Sequence, residues 1–147
     1  NIMVEIGGEV RTKGKNRKNE PWMIAVEKPD LESTGNKTTR WTVRLENKAM
    51  ATSGDYRNYY EIDGVIYSHE IDPRTGYPAQ TGVASATVIA PNCMDADALA
   101  TALIIMGTES GLQIVEKLDD VEAFLILREG NDNYGTIKSS GMKISPL

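Results

Sequence analysis

Through the first part of the chain the apolar positions come in short runs, each cut off by glycine, proline or a polar stretch. Asn1 to Ile6 (N-I-M-V-E-I) reads as a strand ending at Gly7-Gly8, and Arg11 to Glu20 as a polar loop. Trp22 to Val26 reads as a strand closed by Lys28-Pro29, and Leu31 to Thr39 is polar again, with Gly35-Asn36 as a turn. Trp41 to Leu45 sets Trp, Val and Leu against Thr and Arg, the two-residue period of a half-buried strand. Met50 to Thr52 reads as a short strand leading into a polar break at Ser53-Gly54-Asp55-Tyr56. Tyr56 to Ile62 and Val65 to Ile71 flank Asp63-Gly64, a hairpin signal because both turn residues must take positive φ. Pro73, Gly76 and Pro78 then interrupt regular structure, and Val83 to Ala90 is the next strand.

The period changes after that. Asn92 to Met106 predicts a helix, with Asn92 as its cap and Asp95 three residues on as a capping-box partner. Ala98, Leu99, Ala102, Leu103 and Met106 are its expected apolar stripe, and Gly107 stops it. Glu109 to Leu118 predicts a second helix, Val121 to Leu127 a strong strand, and Asp132 to Ile137 a strand hairpinning back onto it. Antiparallel strands followed by helices read as an α+β fold, an antiparallel sheet with helices packed on one face.

Composition narrows the function classes. The chain has 147 residues, enough for one domain with its own core, and a net charge of −5, the wrong sign for a nucleic-acid binder. The basic cluster Arg11, Lys13, Lys15, Arg17 and Lys18 reads as a solvated loop. The single cysteine, Cys93, allows no internal disulfide, and no apolar run approaches membrane-helix length.

Several residues carry chemistry. Asp97 and Thr101 stand four apart on the predicted helix and therefore share a face. Carboxylate and hydroxyl are both hard oxygen ligands suited to Mg²⁺, although a first-turn acid and a threonine bonding back to its own helix have the same spacing. Gly7-Gly8-Glu9 lets backbone approach a ligand beside a carboxylate, or forms a plain turn. Ser53-Gly54-Asp55-Tyr56 offers backbone N–H groups to a ligand, or an Asx turn. In His69-Glu70-Ile71-Asp72-Pro73-Arg74-Thr75-Gly76, the only histidine of the chain is a candidate general base, and a histidine at a strand end is commonly structural as well.

Taken in order, these pieces resemble one family, the ApbE-type flavin transferases. The matching blocks are I-G-G-E at Ile6 to Glu9, P-W-M-I-A-V at Pro21 to Val26 and S-G-D-Y-R-N-Y-Y at Ser53 to Tyr60. They continue with Y-S-H-E-I-D-P-R-T-G-Y-P at Tyr67 to Pro78, A-S-A-T-V-I-A at Ala84 to Ala90 and D-A-D-A-L-A-T-A-L at Asp95 to Leu103. The resemblance spans nearly the whole chain but only the C-terminal portion of such proteins. It implies a T-fold-like architecture completed by an N-terminal half that helps enclose the flavin and carries a lipoprotein signal, hence a periplasmic, membrane-anchored protein. Glu70 departs from the family, which more often has an apolar residue after the histidine.

The resemblance further implies Mg²⁺-dependent transfer of FMN from FAD to a threonine hydroxyl of an acceptor protein, with release of AMP. Asp97, Thr101 and the backbone carbonyl of Ile6 are then the metal ligands. Gly7, Gly8, Glu9, Ser53, Gly54, Asp55, Tyr56, Ile71 and Thr75 line FAD, His69 serves as base or positioner of the hydroxyl, and Asp72, with His69 in the catalytic set, orients the site or binds the metal's water shell. The alternatives are a flavin-binding module without transfer and a pyrophosphatase that hydrolyses FAD to FMN and AMP. Acceptors of the family resemble Ser/Asp-Gly-Ala-Thr-Ser/Ala; the nearest stretch here, Ala84-Ser85-Ala86-Thr87, is strand-like and speaks against self-modification.

Overall fold

A computed structural model describes residues 1–29, 39–56, 58–63, 65–130 and 133–147. The chain opens with a hairpin, β1 (Ile2–Ile6) and β2 (Glu9–Lys13), followed by β3 (Trp22–Glu27), β4 (Thr39–Leu45) and β5 (Ala49–Gly54). Two small hairpins come next, β6 (Tyr59–Ile62) with β7 (Val65–Ser68), and β8 (Ile71–Asp72) with β9 (Tyr77–Pro78). Then follow β10 (Val83–Ala90), α1 (Cys93–Met106), α2 (Thr108–Val115), β11 (Glu122–Arg128), β12 (Tyr134–Lys138) and β13 (Ile144–Pro146).

The main sheet has six strands in the order β1-β2-β5-β10-β11-β12, every pair antiparallel. Its two faces are sorted by the strand period. Ala86, Val88, Ala123 and Leu125 meet α1 and α2 on one face, while Phe124 and Ile126 of the same β11 meet Val26, Val43, Leu45 and Met142 on the other. The expected α+β fold with helices on one face is therefore the observed one. The opposite face is covered by a second, three-stranded sheet of order β13-β4-β3.

Four expectations change. The first three residues of the supposed Arg11–Glu20 loop are strand: Val10 and Thr12 point inward while Arg11 and Lys13 point out, an alternation that the charges conceal. Ser53 and Gly54 belong to β5 rather than to a break, because Ala86 and Ser85 of β10 pair with them. The single strand expected over Val65 to Ile71 is divided, with Val65–Ser68 pairing with β6 and Ile71–Asp72 with β9. The buried stripe of α1 is Ala96, Ala100, Leu103 and Ile104, not the one centred on Ala98 and Ala102; Ala98 is exposed. That helix is apolar on most sides, so its pattern does not select a face. The small residues Ala51, Ala86 and Ala90 select it by allowing close approach of the helix to the sheet. The Gly35-Asn36 turn lies outside the described residues, as do Gly64 and Asp132. Asp63 has the positive φ, 51°, that the hairpin signal requires.

The Asn92 cap forms as expected. Its side-chain oxygen accepts from the Asp95 backbone amide at 2.9 Å, and its side-chain Nδ2, rather than the backbone N–H of a capping box, donates to the Asp95 carboxylate at 2.7 Å. A cap of this kind is worth about 1 kcal/mol.

Candidate functional site

The C-terminal end of β5 meets α1 through one polar contact inside an otherwise apolar interface. Ser53 Oγ lies 3.0 Å from Thr101 Oγ1, and one residue earlier Thr52 Oγ1 lies 2.9 Å from Thr87 Oγ1. Asp97 stands one helical turn before Thr101 with its side chain exposed. The β2–β5 register pairs Val10 with Met50 and Arg11 with Ala49. Ile6 pairs with Glu9 on the far side of β2, one strand removed from β5.

The turn has positive φ at both glycines, 69° at Gly7 and 112° at Gly8, and the Gly8 amide donates to the Glu5 carboxylate at 2.9 Å. Gly8, Val10, Met50, Thr52 and Tyr56 line a cavity of about 400 Å³ whose far wall is β3. Gly54 is required by close approach: a Cβ there would fall 2.4 Å from the Tyr56 ring and 3.2 Å from the Ala84 carbonyl. The sequence block S-G-D-Y thus folds so that its glycine admits its own tyrosine against the strand.

Asp55 turns the other way. Its carboxylate accepts two bonds from Arg128 Nη2, at 2.8 and 2.9 Å. Burial pushes this carboxyl above its ordinary value, the Arg128 bonds pull against that, and the charge of Glu70 adds to the push. Arg128 went unrecognised in the sequence, where it reads only as the polar end of an apolar strand.

The His69 segment is held by local bonds. The His69 backbone amide donates to the Asn58 carbonyl at 3.2 Å, and ring Nδ1 lies 3.1 Å from the same oxygen. A carbonyl only accepts, so this contact is a hydrogen bond when Nδ1 carries the proton, the tautomer that leaves the Nε2 lone pair facing outward. Asp72 builds the following turn: its carbonyl accepts from the amides of Thr75 and Gly76, and its carboxylate from the Arg74 amide and guanidinium at 2.7–3.1 Å. Arg74 holds that carboxyl below its ordinary value. Ile71 is exposed, while Thr75 lines a second cavity of about 390 Å³ with Tyr67, Asp72 and Gln80. The loop is tied to the end of α1 by Thr81, whose hydroxyl donates to the Ile104 carbonyl at 2.5 Å.

The fold therefore joins Ser53 to Thr101, brings Gly8 and Tyr56 to one cavity, and places Asp72 beside Thr75. Among the described residues no hydrogen bond or ion pair links His69 to Asp97 or Thr101. Nor do any three histidine, cysteine, aspartate or glutamate side chains converge as a metal cluster. The donor set at Asp97 is one exposed carboxylate and the Thr101 hydroxyl one helical turn on. That suits Mg²⁺, which takes one or two carboxylates and completes its shell with water and phosphate oxygens. Ser85 and Thr87 are buried within β10, which closes them to modification.

Comparison with known proteins places this geometry. The ApbE family model matches residues 1–125. The chain is 48% identical to an FAD:protein FMN transferase of Haemophilus influenzae over 143 residues, which is 97% of this chain and 40% of that protein. Among solved structures, the flavin transferase ApbE from Vibrio cholerae superposes with a TM-score of 0.73 at 43% identity, covering 94% of this chain and 42% of that one. The apo flavinyl transferase ApbE of Pseudomonas stutzeri gives 0.75 at 38% identity, covering 94% and 41%. The chain spans about two fifths of the length of these relatives. On the family model, the sequence identity and the shared fold together, this chain belongs to the ApbE family.

Proposed function

We propose that the full-length protein carrying this chain transfers FMN from FAD to a threonine hydroxyl of an acceptor protein, releasing AMP, in a Mg²⁺-dependent reaction. The observation that carries the reading is the Ser53–Thr101 contact at 3.0 Å. It joins the helix bearing Asp97 to β5, whose neighbouring Thr52 lines, on the other face of the sheet, the cavity shared with Gly8 and Tyr56. Family membership supports the activity, since the Haemophilus influenzae relative bears the name FAD:protein FMN transferase.

In this reading Gly7, Gly8 and Glu9 line FAD together with Ser53 to Tyr56, and Ile71 and Thr75 add contacts from the loop. Asp97, Thr101 and the Ile6 carbonyl hold Mg²⁺, which supplies Lewis-acid polarisation of phosphoryl oxygens when bound. His69 Nε2 takes the proton of the acceptor hydroxyl as that oxygen bonds to the FMN phosphorus and AMP leaves. Asp72 acts by holding the loop rather than as a free carboxylate, because Arg74 engages both of its oxygens. The acceptor carries a Ser/Asp-Gly-Ala-Thr-like motif, the N-terminal half completes the flavin enclosure, and the protein acts in the periplasm as an anchored lipoprotein.

The test is to incubate the full-length protein with FAD, Mg²⁺ and an acceptor bearing the motif, then weigh the acceptor by mass spectrometry. The expected result is an acceptor heavier by one FMN and one AMP released per label. FMN and AMP appearing with no label would replace transfer by hydrolysis, and bound but uncleaved FAD would leave a flavin-binding module.

A further inference from the structure

Side chains alternate across the segment that carries the histidine. Ser68, Glu70 and Asp72 point inward and are buried, while His69 and Ile71 point out. Asp72 has Arg74 for its charge. Among the described residues Glu70 has no such partner: its side chain is only 3% exposed, and Oε2 is buried without a hydrogen bond. A carboxylate buried this way is costly unless something compensates its charge. The one cationic candidate within ion-pair distance among the described residues is His69, whose Nδ1 lies 3.4 Å from that oxygen. Asp55, whose carboxyl feels the Glu70 charge, is itself an acid and is already bound to Arg128.

Two acceptors thus converge on one ring nitrogen, the Asn58 carbonyl at 3.1 Å and the Glu70 carboxylate at 3.4 Å. A lone pair on Nδ1 would face both, so the ring keeps its proton there and presents Nε2 outward. We propose that Glu70 is a positioning residue for His69: its buried carboxylate fixes Nδ1 as the protonated nitrogen and stabilises the imidazolium formed when Nε2 takes the acceptor hydroxyl's proton. This inference rests on the reading of His69 as base. In the step, the threonine O–H bond breaks and its proton forms a bond to Nε2. The oxygen bonds to the FMN phosphorus, the phosphorus–oxygen bond to AMP breaks, and the proton is later returned to AMP or water. The arrangement follows the logic of a carboxylate that orients an imidazole without taking its proton.

The experiment compares full-length wild type, Glu70→Gln, Glu70→Asp, His69→Ala and the double variant His69→Ala/Glu70→Gln. Single-turnover transfer, FAD affinity, thermal melting and the ¹⁵N signals of His69 are measured, the last identified by their loss in His69→Ala. Gln removes the charge and lets an amide N–H face Nδ1. The expected result is transfer slowed about 10-fold, a share of what a general base contributes. FAD affinity should stay unchanged, and the ¹⁵N signals should move from the Nδ1–H tautomer toward a mixture. Glu70→Asp should restore part of the rate, and Glu70→Gln should add nothing in the His69→Ala background. A wild-type rate with an unmoved tautomer in Glu70→Gln overturns the proposal, as does equal slowing with and without His69. If Glu70→Gln does not fold, Glu70→Asp and its His69 signals decide the matter. Wild-type transfer by His69→Ala overturns instead the reading of His69 as base, and the tautomer measurement still judges Glu70.

Discussion

Thr101 lies on a helix whose Ala100, Leu103 and Ile104 are buried against the central strands, and its hydroxyl reaches β5 directly. His69 lies between two small hairpins, its ring 53% exposed, fastened through Asn58 and flanked by a turn that Asp72 and Arg74 hold together. One half of the candidate site is therefore set by the core and the other by local bonds. Side chains on a packed helix can hold fixed geometry for a cation and phosphate oxygens. A two-stranded hairpin is marginal by itself in water, and Tyr60, Ile62 and Val65 expose apolar surface on this one. The contrast suits a reaction in which one substrate is a nucleotide held in place and the other a protein segment that must arrive and leave.

The largest effect should come from the helix side. Asp97→Ala is expected to lower flavin transfer by about 10³-fold or more, since a bound metal supplies several kcal/mol of transition-state stabilisation. Asp97 is exposed, so melting should be unchanged. Retained transfer at limiting Mg²⁺ would sink its place in the metal site. His69→Ala should cost about 10²-fold in transfer, at the low end for a general base, with FAD affinity intact in a fluorescence titration. If binding fell as well, the loop would belong to the nucleotide pocket and the contrast between the halves would blur.

Smaller effects separate the halves by stability. Asn92→Ala removes the α1 cap and should lower unfolding free energy by about 1 kcal/mol in a denaturant titration. A loss far above that would mean the helix start does more than end-capping. The Asp72–Arg74 pair should show the smallest effect, and only in acid. The folded carboxyl titrates below its ordinary 3.8, so its stabilisation is complete above that value and fades as pH falls through the lower folded one. Acid titration of Arg74→Ala against wild type checks this: the two curves should differ in slope below pH 3.8 and run parallel above it.

Much of the fold was legible where pattern and packing agree. Trp41 to Leu45, Val83 to Ala90 and the Asn92-capped helix formed close to where their periods placed them. β2 was missed because its outward residues are Arg11 and Lys13, so a strand with one buried face resembled a charged loop. β13 was missed because three residues after a glycine carry no period, and it forms by pairing with Val43, Thr42 and Trp41. The candidate residues were legible as motifs, but their division of labour was not. Asp55 and Asp72 were legible as site candidates, but nothing in the pattern named Arg128 and Arg74 as the side chains that hold them.

By itself, then, the sequence determined the α+β class, the capped helix with Asp97 and Thr101 on one turn, and the blocks that mark the family. These are local properties, fixed by residue type and spacing along a few turns or strands. Only the tertiary structure decided which face of an almost wholly apolar helix is buried, that Ser53 meets Thr101, and that Glu70 is buried beside His69. Each of those depends on what approaches from distant parts of the chain, where burial and the pairing of charges are settled by neighbours that no local pattern names.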